Sequence, residues 1–220
     1  MDHHDPVGSC FPFTLRPFSE GHCGLMSTPV TRAGESAVTR AIFVFESLLI
    51  GAVLMVFWGQ QFGLRIMLTD SAAPVGIYRV EPLPSPESVR DLRRGELVEA
   101  CLPDAIAQRG LERGYLQPGG CPGGAEPVAK RVGALSGDIV VISAGYVAVN
   151  GNHLSSLSET LPIDSRGRLL EHVTWGARQV SPNTVWLFGF NNPRSWDSRY
   201  FGPVLQTDVR GILTPLVTWR

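Results

Sequence analysis

Lysine is almost absent from this 220-residue chain, in which Lys130 is the only lysine among 19 basic residues. An arginine can replace a lysine wherever a surface cation is all that is needed, but a guanidinium stays protonated at any physiological pH. A lysine that persists in such a sequence is therefore a candidate for chemistry that needs an amine able to lose its proton. The alternative is that one surface lysine was retained by chance.

A surplus of charge of either sign is also absent. The 19 basic residues stand against 20 acidic ones, which gives a formal net charge of −1 at pH 7. Proteins that bind nucleic acid usually carry a basic surplus on the surface that meets the phosphates. The composition therefore favours no polyanionic partner, and we expect no nucleic acid among the partners of this chain.

Long apolar runs are scarce as well, and the one that stands out covers residues 41–59. Its sequence, AIFVFESLLIGAVLMVFWG, has about the length that crosses a bilayer as a helix, and Glu46 is its only charge. The run is too long and too far from the first residue for a cleavable signal peptide, so we predict one transmembrane helix that anchors the chain in a lipid bilayer. The positions of Arg32, Arg40 and Arg65 favour an N-terminus on the cytoplasmic side.

The segments before and after this run differ in composition. Residues 1–40 are rich in Gly, Pro, Ser, Thr and His without a sustained apolar period, which predicts a disordered cytoplasmic tail. Residues 60–220 form a part large enough to bury a core. The histidines and cysteines of the tail follow no zinc-ligand spacing, so we predict no metal site. These residues are His3, His4, Cys10, His22 and Cys23.

The other two cysteines, Cys101 and Cys121, lie beyond the predicted helix in segments that end in turn-forming residues. Disulfides form in oxidising compartments outside the cytoplasm. If the side beyond the membrane is oxidising, we expect these two cysteines to pair across a short loop.

Beyond residue 60, short β-branched runs recur between turn signals. We predict strands at 76–80, 96–101, 127–132, 138–143, 172–180 and 184–190, and the return strand of a hairpin at 146–151. Helical spacing is found only at 103–114. Since crossover helices are lacking, the sequence predicts a mainly β domain with mixed or antiparallel sheets.

Lys130 lies in one of these predicted strands, close to the apolar side chains of Ala129 and Val132. Burial of an unpaired ammonium is costly, and loss of its proton is the less costly outcome. A neutral amine can then take the proton from a serine hydroxyl, which is a poor nucleophile until a neighbour does so. This pattern makes Lys130 a candidate general base, and a strand lysine that faces solvent is the alternative.

Three segments resemble motifs of a known family. The sequence KRVGALSGDIV at 130–140 resembles the lysine motif of type I signal peptidases, and GFNNPRSWDSRYFG at 189–202 is similar to the last motif of that family. The sequence TDSAAPVGIYR at 69–79 narrows the resemblance to the TraF branch, the signal peptidases of conjugative transfer. The resemblance spans nearly all of residues 65–210.

The resemblance implies a signal-peptidase-like β domain preceded by one transmembrane helix, and it implies a serine peptidase of the Ser/Lys type. Ser71 matches the nucleophile and Lys130 matches the general base. The Ser71 N–H and the Thr69 hydroxyl match the donors of an oxyanion hole. This chemistry needs no cofactor, so none is expected.

Two further residues match family positions that surround the catalytic lysine. Ser195 matches the serine that orients the lysine amine. Asp197 matches the acidic residue of the last motif, which organises Arg199 and the surroundings of the lysine, and a separate role in product ligation is the alternative. The chain also departs from the TraF pattern, because two alanines separate Ser71 from Pro74 where the pattern usually has one residue. This departure bears on how a substrate is placed more than on the Ser/Lys pair.

For the TraF branch, the resemblance implies processing of a pilin-type or other membrane-anchored precursor at the bacterial inner membrane. Residues 60–220 would then form a periplasmic peptidase domain, and some members of the branch join the ends of the product into a ring. Other proteins of the conjugation apparatus are possible partners. The alternatives are a general leader peptidase, a catalytically idle scaffold of the apparatus, and a serine triad built on His153 or His172, neither of which lies in a recognisable motif.

Overall fold

The computed structural model of the protein describes residues 37–83 and 92–219. The chain divides into two compact units, one ending at Ser47 and the other covering Leu48–Arg220. The predicted tail lies outside the described residues except for positions 37–40, which are helical. The candidate active-site residues all lie in the second unit.

The predicted apolar helix is present as α1 (Ala37–Gln61), which begins and ends slightly outside the predicted run. Its apolar side chains are exposed along most of its length, including Phe45, Met55 and Phe57. An exposed apolar surface of this extent is unfavourable in water and suits the hydrocarbon core of a bilayer. The stretch Ala37–Gly59 is long and apolar enough to cross a membrane.

The second unit is built from short strands with two further α-helices and one short 3-10 helix, Gln206–Asp208. In chain order the elements are β1 (Leu64–Met67), β2 (Gly76–Pro82), β3 (Leu97–Ala100), α2 (Asp104–Arg113), β4 (Val128–Leu135), β5 (Ile139–Ile142), β6 (Val147–Val149), β7 (Asn152–His153), β8 (Gly176–Gln179), β9 (Thr184–Phe188), α3 (Ser198–Phe201), β10 (Val204–Leu205) and β11 (Val209–Thr218). The predicted helix is confirmed as α2.

Seven strands form one sheet in the order β1-β2-β11-β3-β4-β9-β10, and four form a second sheet in the order β7-β6-β5-β8. Every strand pair among the described residues is antiparallel. The predicted mainly β fold is thus confirmed, and its sheets are antiparallel rather than mixed. The chain returns to the first sheet after the second, so β4 and β9 become neighbours.

The strand predicted at 172–180 is wrong over its first half. The strand β8 begins only at Gly176, whose φ of 118° is outside the range that other residues adopt readily. Before it, the Val173 N–H donates to the Arg199 carbonyl instead of to a neighbouring strand. The tertiary contact with the segment that follows β9 therefore takes this backbone out of the second sheet.

The loop between β1 and β2, residues 68–75, is called the Ser71 segment below. Its two alanines, Ala72 and Ala73, are 0% and 1% exposed and pack against Tyr78 and Leu97. Alanine side chains fill this space, and larger ones would have to displace the strands beneath. The additional residue between Ser71 and Pro74 is thus accommodated inside the core rather than as a bulge on the surface.

A disulfide joins Cys101, which directly follows β3, to Cys121 in the loop before β4, with their Cα atoms 5.6 Å apart. The bond closes a loop with a sequence separation of 20 residues. A cross-link of this span limits the conformations of the unfolded chain and stabilises the fold by about 3 kcal/mol.

We expect the double variant Cys101→Ser/Cys121→Ser to lower the free energy of unfolding by about 3 kcal/mol. The measurement is thermal unfolding of the detergent-solubilised full chain with and without a reductant. The reductant should lower the Tm of the wild-type protein towards that of the double variant and leave the variant unchanged. Equal Tm values for the oxidised wild type and the variant would contradict the prediction.

Candidate active site

Lys130 lies in β4, opposite Val98 of β3, and is 6% exposed. Its Nζ donates a hydrogen bond to the Ser195 Oγ at 2.7 Å and lies 3.4 Å from the Ser71 Oγ. Burial lowers the pKa of the Lys130 amine to about 8; the Asp197 charge opposes this shift and the Arg199 charge adds to it. A substantial fraction of the amine is therefore neutral slightly above neutral pH.

Ser71 is half-buried within the Ser71 segment, the loop between β1 and β2. Its carbonyl accepts a hydrogen bond from the Asn191 N–H at 3.1 Å. Asn191 belongs to the stretch between β9 and α3, which also carries Ser195. The two serines that face Lys130 are thus connected to each other through main-chain contacts.

Asp197 and Arg199 hold the Ser195 side of the site in place. Both are 0% exposed, and their carboxylate and guanidinium form an ion pair with an N–O distance of 2.8 Å. The Asp197 carboxylate also caps α3 and accepts from the Gly189 N–H at 3.0 Å. The Arg199 Nη2 donates to the Ser195 carbonyl at 3.1 Å. Neither side chain contacts Lys130 by a hydrogen bond, so their influence on its amine is electrostatic and positional.

Gly189 lies where the two serine-bearing segments meet. A Cβ at this position would be 2.2 Å from the Ser195 Oγ and 2.8 Å from the Ser71 carbonyl oxygen. Real Cβ atoms do not approach other atoms so closely, so any side chain here would push the two segments apart. The close approach of the two serines thus depends on a glycine.

We expect Gly189→Ala to lower the rate of peptide cleavage by about 100-fold, because displacements of about 1 Å at a reacting centre have effects of this order. The rate is measured with purified full-length protein. A matched control is Gly145→Ala, since a Cβ at Gly145 would meet no atom within 4 Å. The control should cleave like the wild type, and wild-type activity in Gly189→Ala would contradict the expected displacement.

An open cleft with a volume of about 1290 Å³ runs over Ser71 and Lys130. Thr69 is exposed and lines the same cleft. Loop residues that include Gln117, Cys121 and Asp164 also line the cleft. A cleft of this size that is open to solvent can admit an extended polypeptide, which suits a peptidase better than an enzyme for small molecules.

The histidines considered for a serine triad lie elsewhere. The His153 ring stacks on Tyr146, and the His172 ring stacks on Trp175. Neither lines the cleft over Ser71. Within residues 37–83 and 92–219, no group of three His, Cys, Asp or Glu side chains is arranged to hold a metal ion. The cysteines and histidines weighed as ligands in the tail lie outside the described residues.

Comparison with known proteins gives consistent results. The sequence profile of the family described as signal peptidase, peptidase S26, matches residues 37–219. The conjugal transfer protein TraF of Agrobacterium fabrum is 36% identical over 184 residues, which are 83% of this chain and 97% of that protein. The plasmid transfer protein TraF of Escherichia coli is 31% identical over 171 residues, which are 77% of this chain and 91% of that protein.

A solved structure of a signal peptidase I from Enterococcus faecalis is 25% identical, with a TM-score of 0.34, and the match covers 56% of this chain and 97% of that chain. The family profile covers α1 and all the strands of the second unit. The TraF relatives cover more than two thirds of both sequences. On the profile and these relatives, the chain belongs to the signal peptidase family of serine peptidases, S26, and within it to the TraF-type proteins of conjugative transfer.

Proposed function

We propose that this chain is a membrane-anchored serine endopeptidase in which Ser71 is the nucleophile and Lys130 is the general base. The observation that carries the proposal is the position of the Lys130 Nζ, which is buried and lies 3.4 Å from the Ser71 Oγ. Burial lowers the pKa of this amine to about 8, so that it can accept a proton near physiological pH.

In the proposed reaction, the neutral Lys130 amine takes the Ser71 proton as the Ser71 oxygen attacks the scissile carbonyl. The resulting ammonium returns this proton to the leaving amine, and an acyl-enzyme remains on Ser71. Ser195 holds the amine in line through its 2.7 Å hydrogen bond. The Ser71 N–H and the Thr69 hydroxyl are the proposed donors to the oxyanion.

Asp197 and Arg199 have a supporting role in this proposal. Their buried ion pair fixes Gly189 and the Ser195 carbonyl, and so fixes the hydroxyl that orients the lysine. The Asp197 carboxylate has its oxygens occupied by donors from Arg199 and Gly189. A direct part in bond making is therefore not assigned to it.

The proposed substrate is a pilin-type precursor, or another membrane-anchored precursor, of a conjugative transfer system. Two relatives that cover most of the chain are named as transfer proteins. In this arrangement α1 crosses the bacterial inner membrane once, residues 1–40 form a cytoplasmic tail and residues 60–220 form the periplasmic peptidase domain. Other proteins of the conjugation apparatus are proposed partners. The short distance in sequence from α1 to Ser71 keeps the nucleophile near the membrane surface, where an anchored precursor is accessible.

The acyl-enzyme can be resolved by water or by an amine. Attack by water consumes one water molecule and gives a linear product. Attack by the N-terminal amine of the same chain forms an amide, releases the Ser71 hydroxyl and consumes no water, so the ring is lighter than the linear product by one water. The cleft over Ser71 is open, so an amine from the substrate itself can reach the acyl group. Ring closure is therefore included in the proposal as a second outcome of the same intermediate.

The test is the intact mass of the candidate pilin from cells that carry the wild-type chain and from cells that carry Ser71→Ala. A shortened product that is present with the wild-type chain and absent with Ser71→Ala supports the peptidase. A product lighter than the linear cleaved peptide by one water shows ring closure. An unchanged mass in both cells would remove this pilin as the substrate. Removal of the general signal sequence from other exported proteins by the wild type, and not by the variant, would favour the leader-peptidase alternative.

A further inference from the structure

Arg131 directly follows Lys130 in β4, and its exposed side chain turns towards the nucleophile. The Arg131 Nε donates to the Ala72 carbonyl at 2.9 Å, and the Nη1 donates to the Gly95 carbonyl at 2.8 Å. Ala72 is the residue after Ser71. One guanidinium thus connects the strand that carries the proposed base to the segment that carries the proposed nucleophile.

The other hydrogen bonds of the Ser71 segment act at different carbonyls. The Ser71 carbonyl accepts from the Asn191 N–H, the Pro74 carbonyl accepts from the Tyr78 hydroxyl at 2.6 Å, and the Val75 carbonyl accepts from the Trp219 N–H at 3.0 Å. Among the described residues, Arg131 is the donor found at the Ala72 carbonyl. If Arg131 is removed, water can occupy this carbonyl, but water has no fixed position relative to β4.

The distance between the proposed base and nucleophile makes this connection important. The Lys130 Nζ is 3.4 Å from the Ser71 Oγ, against 2.7 Å from the Ser195 Oγ. A hydrogen bond of 3.4 Å is already near the limit of a useful contact. A small shift of the Ser71 segment away from β4 would therefore break the contact with Ser71 and leave the contact with Ser195 intact.

We propose that Arg131 is a positioning residue that holds the Ser71 segment against β4 and so keeps Ser71 in reach of Lys130. The inference rests on the proposed function of this pair. Among the described residues, those that line the cleft do not include Arg131 or Ala72. The expected effect of losing Arg131 is thus on kcat, with KM little changed.

The planar guanidinium suits this position because its Nε and Nη1 can reach two carbonyls at once in fixed directions. A lysine would keep the positive charge and most of the side-chain length, but its ammonium is not a rigid fork. Arg131→Lys should therefore hold the segment less firmly than arginine does and more firmly than Arg131→Ala.

The test measures kcat and KM of the purified full-length chain in detergent. The substrate is a quenched fluorogenic peptide with the A-x-A pattern of small residues that precedes the cleavage site of signal peptides. We expect Arg131→Ala to lower kcat by about 10- to 100-fold with KM within about twofold, and Arg131→Lys to fall between it and the wild type. Free guanidinium at low concentration should restore part of the kcat of Arg131→Ala and leave the wild type unchanged.

The matched control is Arg178→Ala, since Arg178 also donates to a main-chain carbonyl, that of Thr174, but in the second sheet. The control should keep the wild-type kcat. A wild-type kcat in Arg131→Ala would overturn the inference, as would a loss confined to KM. If Arg131→Ala does not fold, Arg131→Lys decides, because a wild-type kcat in a folded Arg131→Lys with no response to guanidinium would also overturn it.

A different result would contradict the proposed function, namely cleavage of the same peptide by Ser71→Ala. If Ser71→Ala is inactive and Arg131→Ala has a wild-type kcat, only the positioning role is lost. The pH at which activity reaches half of its maximum provides a further readout. It should stay the same in Arg131→Ala, because the proposed role concerns the position of Ser71 and not the proton affinity of Lys130.

Discussion

Replacement of Ser71 by alanine is expected to lower the rate of precursor cleavage by about six orders of magnitude, which is the loss found when the nucleophile of a serine peptidase is removed. Without the hydroxyl no acyl-enzyme can form, and the amine of Lys130 has no proton to accept from this position. The loss should appear in kcat with little change in substrate binding. The measurement is the cleavage rate of the purified full-length variant at enzyme concentrations high enough to detect residual turnover.

The fold of the Ser71→Ala variant should be unchanged. In the described residues the Ser71 hydroxyl makes one hydrogen bond, the long contact of 3.4 Å to Lys130. Its loss should shift Tm by no more than a few degrees. Ser136→Ala is a suitable control, because Ser136 is an exposed residue whose hydroxyl donates to the Ser181 carbonyl outside the cleft. Normal cleavage by Ser71→Ala would end the assignment of Ser71 as nucleophile.

Local sequence patterns predicted the interior strands and α2 because residues close together in the sequence determine the secondary structure of those segments. The buried Val140 and Ile142 of β5 alternate with less buried residues, Val147 and Val149 of β6 are buried, and Ala144-Gly145 predicts the turn between the two strands. The long apolar run at 41–59 likewise predicted a helix, because its length and composition are those of a segment that can cross a bilayer as a helix. The close positions of Lys130 and Ser195 followed from the resemblance and not from spacing.

Other elements were missed because their structure depends on contacts between distant parts of the chain. The strand β11 contains Pro215 and shows a register shift between Pro215 and Val217, so its sequence does not read as a regular strand. It is held by β2 and β3, which come from far earlier in the chain. The strand β1 is short and lies at the edge of the sheet, where it is stabilised by pairing with β2.

The roles of Gly189 and Arg131 were likewise hidden in the sequence, although both lie in segments that resemble family motifs. A glycine in a motif can be required by a turn, by a left-handed backbone conformation or by the close approach of another segment. The positions of Ser71 and Ser195 show that close approach is the reason at Gly189. The contact between Arg131 and Ala72 spans two elements that no local pattern brings together. Spatial information of this kind requires the folded chain.

Replacement of Lys130 by arginine is expected to be nearly as damaging as the loss of Ser71, because a guanidinium stays protonated and cannot accept the serine proton. The larger, permanently charged group must also be buried where Lys130 is 6% exposed. Lys130→Met separates the two effects, since methionine has a similar length and carries no charge to bury. Both variants should lose at least about 1,000-fold in cleavage rate, and Lys130→Met should keep a wild-type fold by thermal unfolding. Substantial activity in a folded variant would remove Lys130 from the role of base.

The pH dependence of cleavage tests the same residue without any substitution. Burial lowers the pKa of the Lys130 amine to about 8, and the neutral form is the one that can act as a base. Below this pH the neutral fraction falls, so kcat should decrease by about tenfold for each unit of pH, and above it kcat should reach a plateau. The slope belongs to Lys130 only if it disappears with the amine, so the residual activity of Lys130→Met should be flat over the same range. A wild-type profile that is flat from pH 6 to 10 would mean that no group with a pKa near 8 accepts the Ser71 proton, and the lowered pKa of Lys130 would then have no part in catalysis.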